Sequence, residues 1–183
     1  MVPATQEQQT ALQILRTSSS IDTPEKLAAL IQDKSVPKYC QLENDTRLAW
    51  LCGQINALNY MTHSARITSE IDLLVEASMT DQAIMDDNSI RWLTQIEMQE
   101  AFRRGITKEY GDFFGITAGT VVQFLMGFMA GEKRQRAKAI IRDEESRKEK
   151  EGQDRFWKEI ERMKAEGKFV PTWGPQYNFK DDK

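Results

Sequence analysis

A run of 19 consecutive uncharged residues in the second half of the chain restricts its possible folds more than any other segment. The run covers residues 113–131 and reads FFGITAGTVVQFLMGFMAG. A membrane-spanning helix needs about 20 apolar residues, and the basic residues that follow this run suit the positive-inside rule. However, glycines, threonines and Gln123 dilute the run, and Thr117 predicts a helix start inside it. Because the remaining apolar stretch is too short to cross a bilayer, we expect no membrane span.

A second interpretation of this region is a helix-turn-helix. Residues 110–121, YGDFFGITAGTV, show its rhythm of a helix ending at glycine, an apolar residue, a capping threonine and a second helix. Direct readout of bases needs Arg, Lys, Asn or Gln near the start of that second helix. Positions 118–123 read AGTVVQ instead, so a helix this apolar fits a DNA groove poorly.

The third interpretation, which we favour, is a helix that is apolar nearly all round and therefore buried on both sides. It lies either in the centre of a bundle or half against another chain, and the sequence leaves these two cases open. The predicted partner-binding residues of this helix are Val121, Phe124, Leu125 and Phe128.

Helix signals are frequent elsewhere and strand signals are poor. Thr23 before Pro24 predicts an N-cap and first helical position, Thr94 with Glu97 forms a capping box, and Asp45 or Thr46 can start another helix. Further apolar stripes repeat at helical spacing; they comprise Leu27, Leu30 and Ile31, then Leu48, Leu51, Cys52, Ile55 and Leu58, then Ile71, Leu74 and Val75, with Thr80 as a further cap. The sequence therefore predicts an all-α protein built on a small helical bundle.

Charge divides the 183-residue chain into unlike parts. The net charge of -3 conceals an acidic region, residues 1–131, with 10 basic and 16 acidic residues. We assign a polar N-terminal arm to residues 1–20, a helical domain to 21–131, a charged helix to 132–166 and an extended aromatic tail to 167–183. The charged helix has 12 basic and 10 acidic residues, with acid-first pairs four apart such as Glu132–Arg136. We expect it to break or fray near Gly152.

Two further surfaces are candidate contact sites. Lys133, Arg134, Lys138 and Arg142 belong to a basic stretch without acids. Such a stripe suits nucleic-acid backbone phosphates, or it pairs with the acidic run that begins at Asp143 or with the acidic helical domain. The tail carries aromatic residues among prolines, a pattern typical of a segment that docks into a groove. Its predicted partner-binding residues are Phe169, Trp173, Tyr177 and Phe179.

The sequence offers little material for catalysis. His63 is the sole histidine, and neither a GxxxxGK[ST] nor a GxGxxG motif is present. Cys40 and Cys52 lie twelve positions apart without a CxxC pattern, which indicates two free thiols. The N-terminal residues lack a secretory signal pattern. We therefore predict a non-enzymatic cytoplasmic protein with no catalytic residue, metal or cofactor.

The stretch from Met79 to Met129 is similar in layout to small uncharacterised helical proteins of Bacteroidetes phages and mobile elements. The resemblance rests on residues 79–82 (MTDQ), 100–102 (EAF) and 109–115 (EYGDFFG), followed by the apolar helix. The layout also resembles small phage helicase-loading proteins, which are helical adaptors with a flexible C-terminal segment that engages a helicase. The long charged helix departs from most short members of the group.

Two functions follow from these observations as expectations. The first is a non-enzymatic helical adaptor that binds a protein partner, as a phage or mobile-element replication accessory. The alternative is a DNA-binding protein that uses the helix-turn-helix-like segment and the basic stripe. Self-association stays open in either case.

Overall fold

The computed structural model describes residue 21 and residues 23–64 and 67–168 of the chain. These residues form six α-helices and two short 3₁₀ turns, with a single isolated antiparallel bridge between Lys38 and Thr94 as their only β-type pairing. The helices are α1 (Pro24–Gln32), α2 (Asn44–Met61), α3 (Glu70–Asp86), α4 (Gln95–Ile106), α5 (Ala118–Ala130) and α6 (Glu132–Ala165). The predicted all-α class is confirmed.

Most of the predicted helix starts are confirmed by their capping hydrogen bonds. The Thr94 hydroxyl accepts from the Glu97 amide at 3.1 Å, and the Glu97 carboxylate accepts from the Thr94 amide at 2.8 Å. Thr23 caps α1 and Thr117 caps α5 in the predicted way. The predicted start of α2 is wrong, because that helix begins one residue before Asp45 and follows Glu43, which makes no side-chain cap.

Thr80 is not a cap but an interior residue of α3. Its hydroxyl donates a 2.7 Å hydrogen bond to the Glu76 carbonyl one turn earlier, which satisfies the buried oxygen within the helix. The helix begins instead at Ser69, whose hydroxyl accepts from the Asp72 amide. Ser69 and Asp72 therefore form a second capping box that the sequence analysis missed.

The hydrophobic core is assembled from all the helices of the first part of the chain. Helix α2 packs on α3 and α4, and α5 packs on both α3 and α4. The largest fully buried side chains are Tyr39, Phe102, Phe124, Phe128, Leu27, Leu51, Ile55, Leu58, Ile84, Ile90 and Leu93. Trp50 lies between Tyr39 and Phe102, with ring centroids 6.0 and 6.2 Å away. Aromatic packing thus joins the first 3₁₀ turn to α2 and α4.

The structure divides into two compact units, which are the described residues up to Ile141 and those from Arg142. The first unit extends past position 131 because Arg134 and Ala137, in the first turns of α6, are buried in it. In the second unit no described side chain is buried. Helix α6 continues through Gly152, so the predicted break there is wrong.

Candidate functional site: an uncharged face of helix α3

One side of α3 exposes apolar side chains instead of burying them. Ile71, Leu74, Val75 and Met79 are 76, 54, 52 and 56% exposed. Together with the exposed Ser78 and Gln82 they form a face without charge, which we call the α3 face. Ile71, Leu74 and Val75 form the helical stripe that the sequence indicated, and the structure places this stripe on the exposed side of α3, opposite the buried Ala77 and Ile84.

Polar contacts fix the buried side of α3. Asp81 accepts a 2.6 Å hydrogen bond from the Tyr39 hydroxyl and bonds of 2.9 and 3.2 Å from the Arg47 guanidinium. Burial, followed by the hydrogen bond to Asp81, raises the pKa of the Tyr39 hydroxyl well above its usual value. Because Asp81 is paired on both oxygens, it can lie inside the protein.

A second polar contact joins α3 to the start of α5. The Ala118 amide donates a 2.8 Å hydrogen bond to the Glu76 carboxylate. A carboxylate at a helix N-terminus satisfies an unpaired amide and suits the positive end of the helix dipole. The side of α3 that carries Glu76 and Asp81 is thereby held against the bundle, and the α3 face is left to solvent.

The apolar helix α5 belongs to the core. Val121, Phe124, Leu125 and Phe128, predicted to bind a partner, are all buried in the first unit. Their burial corrects that prediction and supports the alternative of a helix within a bundle. A Cβ at Gly105 would lie 2.2 Å from the Phe124 ring, so this glycine lets α4 and α5 approach closely.

The exposed side of α5 lacks the free side chains that the helix-turn-helix interpretation needs for contacts with DNA bases. The exposed residues of α5 are Gly119, Gln123, Met126 and Ala130. Of these only Gln123 can hydrogen-bond through its side chain, and its amide already donates to the Tyr110 carbonyl at 3.0 Å. Base-edge contacts need such side chains free at the helix surface.

One of the four residues of the predicted basic stripe is buried in the core. Arg134 is buried and pairs with the buried Glu97 at 3.0 Å, so its predicted nucleic-acid contact is wrong. Arg134 points inward because Glu97 has one carboxylate oxygen left over after capping α4. Lys133, Lys138 and Arg142 are exposed.

A second buried ion cluster lies one turn further along α4. Glu100 accepts hydrogen bonds of 2.7 Å from the Nε atoms of both Arg103 and Arg104. Burial alone raises the pKa of the Glu100 carboxyl, but the hydrogen bonds and charges of the two arginines outweigh burial and lower the net pKa. The guanidinium groups of Arg104 and Arg134 each lie 5.9 Å from the centre of the Phe128 ring, which adds cation–π contacts.

An open cleft of about 760 Å³ lies where α2 and α4 end. Thr62 and Thr107 cap the two helices, and the next residues, His63 and Lys108, have φ values of 51° and 64°. A left-handed residue after a C-cap is the usual way to end a helix, so these conformations need no functional explanation. Phe114 borders the cleft and is 95% exposed, whereas Phe113 packs edge-on against Phe124 at 5.2 Å.

The remaining sequence predictions concern the cysteines, metal ions, membrane spans and the two ends of the chain. Cys40 and Cys52 are free thiols. The described part of the chain has no group of three His, Cys, Asp or Glu side chains arranged to hold a metal ion. None of its helices has the length and hydrophobicity to cross a membrane. The N-terminal arm (1–20) and the tail residues Phe169, Trp173, Tyr177 and Phe179 lie outside the described residues.

The described residues therefore define an all-α helical protein in which one side of α3 exposes an uncharged, largely apolar face. No protein-family model matches the chain, no curated protein is significantly similar to it, and no solved structure matches its fold.

Proposed function

We propose that this chain is a non-enzymatic helical adaptor that binds a protein partner through the α3 face. The observation that carries the proposal is the exposure of four large apolar side chains in succession on one helix, Ile71, Leu74, Val75 and Met79. Contiguous apolar surface is costly in water and marks contact sites in folded proteins. The role in phage or mobile-element replication stays an expectation from the resemblance.

Capture experiments with a surface variant test this function. The double variant Ile71→Gln/Val75→Gln, which we call the face variant, replaces two exposed apolar side chains by uncharged residues that favour helices. Tagged wild-type chain should retain a specific protein from extracts of the native host, and the face variant should lose it. Met126→Gln, an exposed apolar position on α5, is the matched control and should retain the partner. Equal capture by the wild type and the face variant would contradict the proposal.

The aromatic tail provides a separate arm of this experiment. A chain that ends after Lys168 lacks Phe169, Trp173, Tyr177 and Phe179. Loss of capture by this truncated chain, with unchanged helical circular dichroism, would support a second contact in the tail. Full capture would show that the tail prediction is wrong.

A second candidate function, contact with nucleic-acid backbones, rests on the exposure of Lys133, Lys138 and Arg142. Three phosphate contacts predict weak binding that falls steeply with salt and ignores sequence. Replacing the three residues by alanine should weaken binding on every sequence alike in fluorescence anisotropy, whereas Arg134→Ala lowers stability instead. The absence of binding at low salt would exclude this function.

A further inference from the structure

The spacing of the α3 face matches what a second helix needs. Its residues Ile71, Leu74, Val75 and Ser78 follow the i, i+3, i+4, i+7 pattern, and Val75, Ser78, Met79 and Gln82 repeat it. Four residues in this pattern form the hole that receives one side chain of a packed helix. The two holes overlap at Val75 and Ser78, and Ser78 is small enough for a partner backbone to come close. The face extends over three turns, about 16 Å at 1.5 Å per residue.

An extended strand is the less suitable occupant. Strand addition needs an exposed sheet edge with free backbone groups, and the described residues offer only the Lys38–Thr94 bridge. The backbone amides and carbonyls of α3 are instead used within the helix. Side-chain packing is therefore the contact that this face can make.

The sequence segment that carries the face, between Arg66 and Arg91, is acidic. Between positions 67 and 90 the chain has six carboxylates and no lysine or arginine. Two of these carboxylates are used inside the protein, since Asp81 pairs with Arg47 and Glu76 accepts from the Ala118 amide. Glu70 and Asp86 are exposed at the two ends of α3, and no basic side chain of the described residues forms an ion pair with either.

This charge pattern favours some partners of the α3 face over others. A second α3 face in a symmetric pair places acidic flanks against acidic flanks, which is unfavourable. An anionic lipid surface is disfavoured for the same reason. A helix whose apolar stripe is bordered by lysine or arginine complements both the holes and the flanks.

We propose that the partner segment bound by the α3 face is an amphipathic α-helix with basic flanks. This inference rests on the proposed function and adds the chemistry of the partner to it. The apolar stripe of the partner helix fills the two holes around Val75 and Ser78, and its basic residues lie near Glu70 and Asp86.

Two synthetic helical peptides test the inference directly. Both carry the same leucine stripe at three- and four-residue spacing, and their flanks are all lysine in one and all glutamate in the other. The full chain should bind the lysine peptide at least about tenfold more tightly than the glutamate peptide at low salt, and added salt should narrow the difference. Titration calorimetry measures both affinities.

Three variants of the full chain separate specific docking from general attraction of charges. The face variant should lose most of its affinity for the lysine peptide, and Met126→Gln should keep it. Glu70→Gln/Asp86→Asn should retain binding with a smaller preference for lysine. Equal affinity of the face variant and the wild type for the lysine peptide would overturn the inference.

The remaining outcomes distinguish this inference from the proposed function. If the glutamate peptide binds as tightly as the lysine peptide and the face variant loses both, the α3 face is a binding site and the charge inference is overturned. If sedimentation shows that the wild type self-associates and the face variant does not, the occupant is a second copy and the inference is overturned as well.

Discussion

Asp81 and Tyr39 are joined by a 2.6 Å hydrogen bond inside the first unit, and this contact lies on the side of α3 that also buries Ala77 and Ile84. Asp81 also holds Arg47 through both carboxylate oxygens. Ile71, Leu74, Val75 and Met79, on the other side of α3, are each more than half exposed. The buried polar contact and the exposed apolar face therefore lie on opposite sides of one helix.

The first prediction concerns this contact. Asp81→Ala leaves the Tyr39 hydroxyl and the Arg47 guanidinium without their acceptor, so the free energy of unfolding should fall by about 2 kcal/mol. Urea unfolding followed by circular dichroism measures the change. Asp86→Ala, at an exposed position of the same helix, should shift stability by no more than about 0.5 kcal/mol. Equal effects of the two substitutions would show that Asp81 is not paired inside the protein.

The sequence could predict the helices and their caps because those signals are local. Thr94 and Glu97, for example, are three residues apart and meet within one turn. The orientation of α3 is not a local property, since its buried side contacts residues far away in the sequence, such as Tyr39, which is 42 positions from Asp81. Hydrophobic periodicity placed Ile71, Leu74 and Val75 on one helix face, but it does not show whether that face is buried or exposed.

A contact between residues far apart in the sequence also explains why the prediction for Arg134 was wrong. Its position among Lys133, Lys138 and other basic residues indicated a solvent-facing stripe, but its partner Glu97 lies 37 positions earlier. The burial of α5 was accessible from composition alone, because a helix apolar on nearly all sides has to be covered. Composition does not show whether the residues that cover α5 belong to the same chain or to a partner.

A second prediction follows from the pairing of Arg134 with Glu97. Arg134→Ala leaves the Glu97 carboxylate buried with only its capping contacts, so unfolding should become easier by about 3 kcal/mol. Lys133→Ala removes an exposed neighbour of the same charge and should be close to neutral. Thermal or urea unfolding of the two variants checks this. A similar, small effect of both would mean that Arg134 faces solvent.

The third prediction concerns two glycine substitutions that should change the stability of the protein in opposite directions. Gly105→Ala places a Cβ 2.2 Å from the Phe124 ring, and the resulting overpacking should cost about 1–3 kcal/mol of stability. Gly53 lies inside α2 with nothing within 4 Å of an added Cβ. Gly53→Ala should therefore stabilise the protein by about 0.5–1 kcal/mol through helix propensity. Urea unfolding of the two variants measures both changes, and stabilisation by Gly105→Ala would contradict the close approach of α4 and α5.

The fourth prediction concerns acid stability. The pKa of the Glu100 carboxyl lies below its usual 4.5 in the folded protein, because hydrogen bonds from Arg103 and Arg104 outweigh its burial. A lowered carboxyl pKa contributes stability that is present above the unfolded-state pKa and is lost as the pH falls through the folded-state pKa. Glu100→Gln should therefore be less stable than the wild type at neutral pH, and the difference should shrink in acid below pH 4.5.

Urea midpoints measured across this pH range for the wild type and Glu100→Gln test the expected convergence. Glu43→Gln, at an exposed position just before α2, serves as the control for the loss of one carboxylate. A stability difference between Glu100→Gln and the wild type that stays constant from neutral to acid pH would argue against ionised Glu100 in this cluster.

The free energy of unfolding of the face variant, Ile71→Gln/Val75→Gln, tests the central claim most directly. Because both side chains are exposed, we predict a value within about 1 kcal/mol of the wild type. Ile55→Gln, on the buried side of α2, should lose more than about 3 kcal/mol in the same experiment. Loss of stability in the face variant as large as that of Ile55→Gln would contradict an exposed α3 face, because it would place these residues in the core.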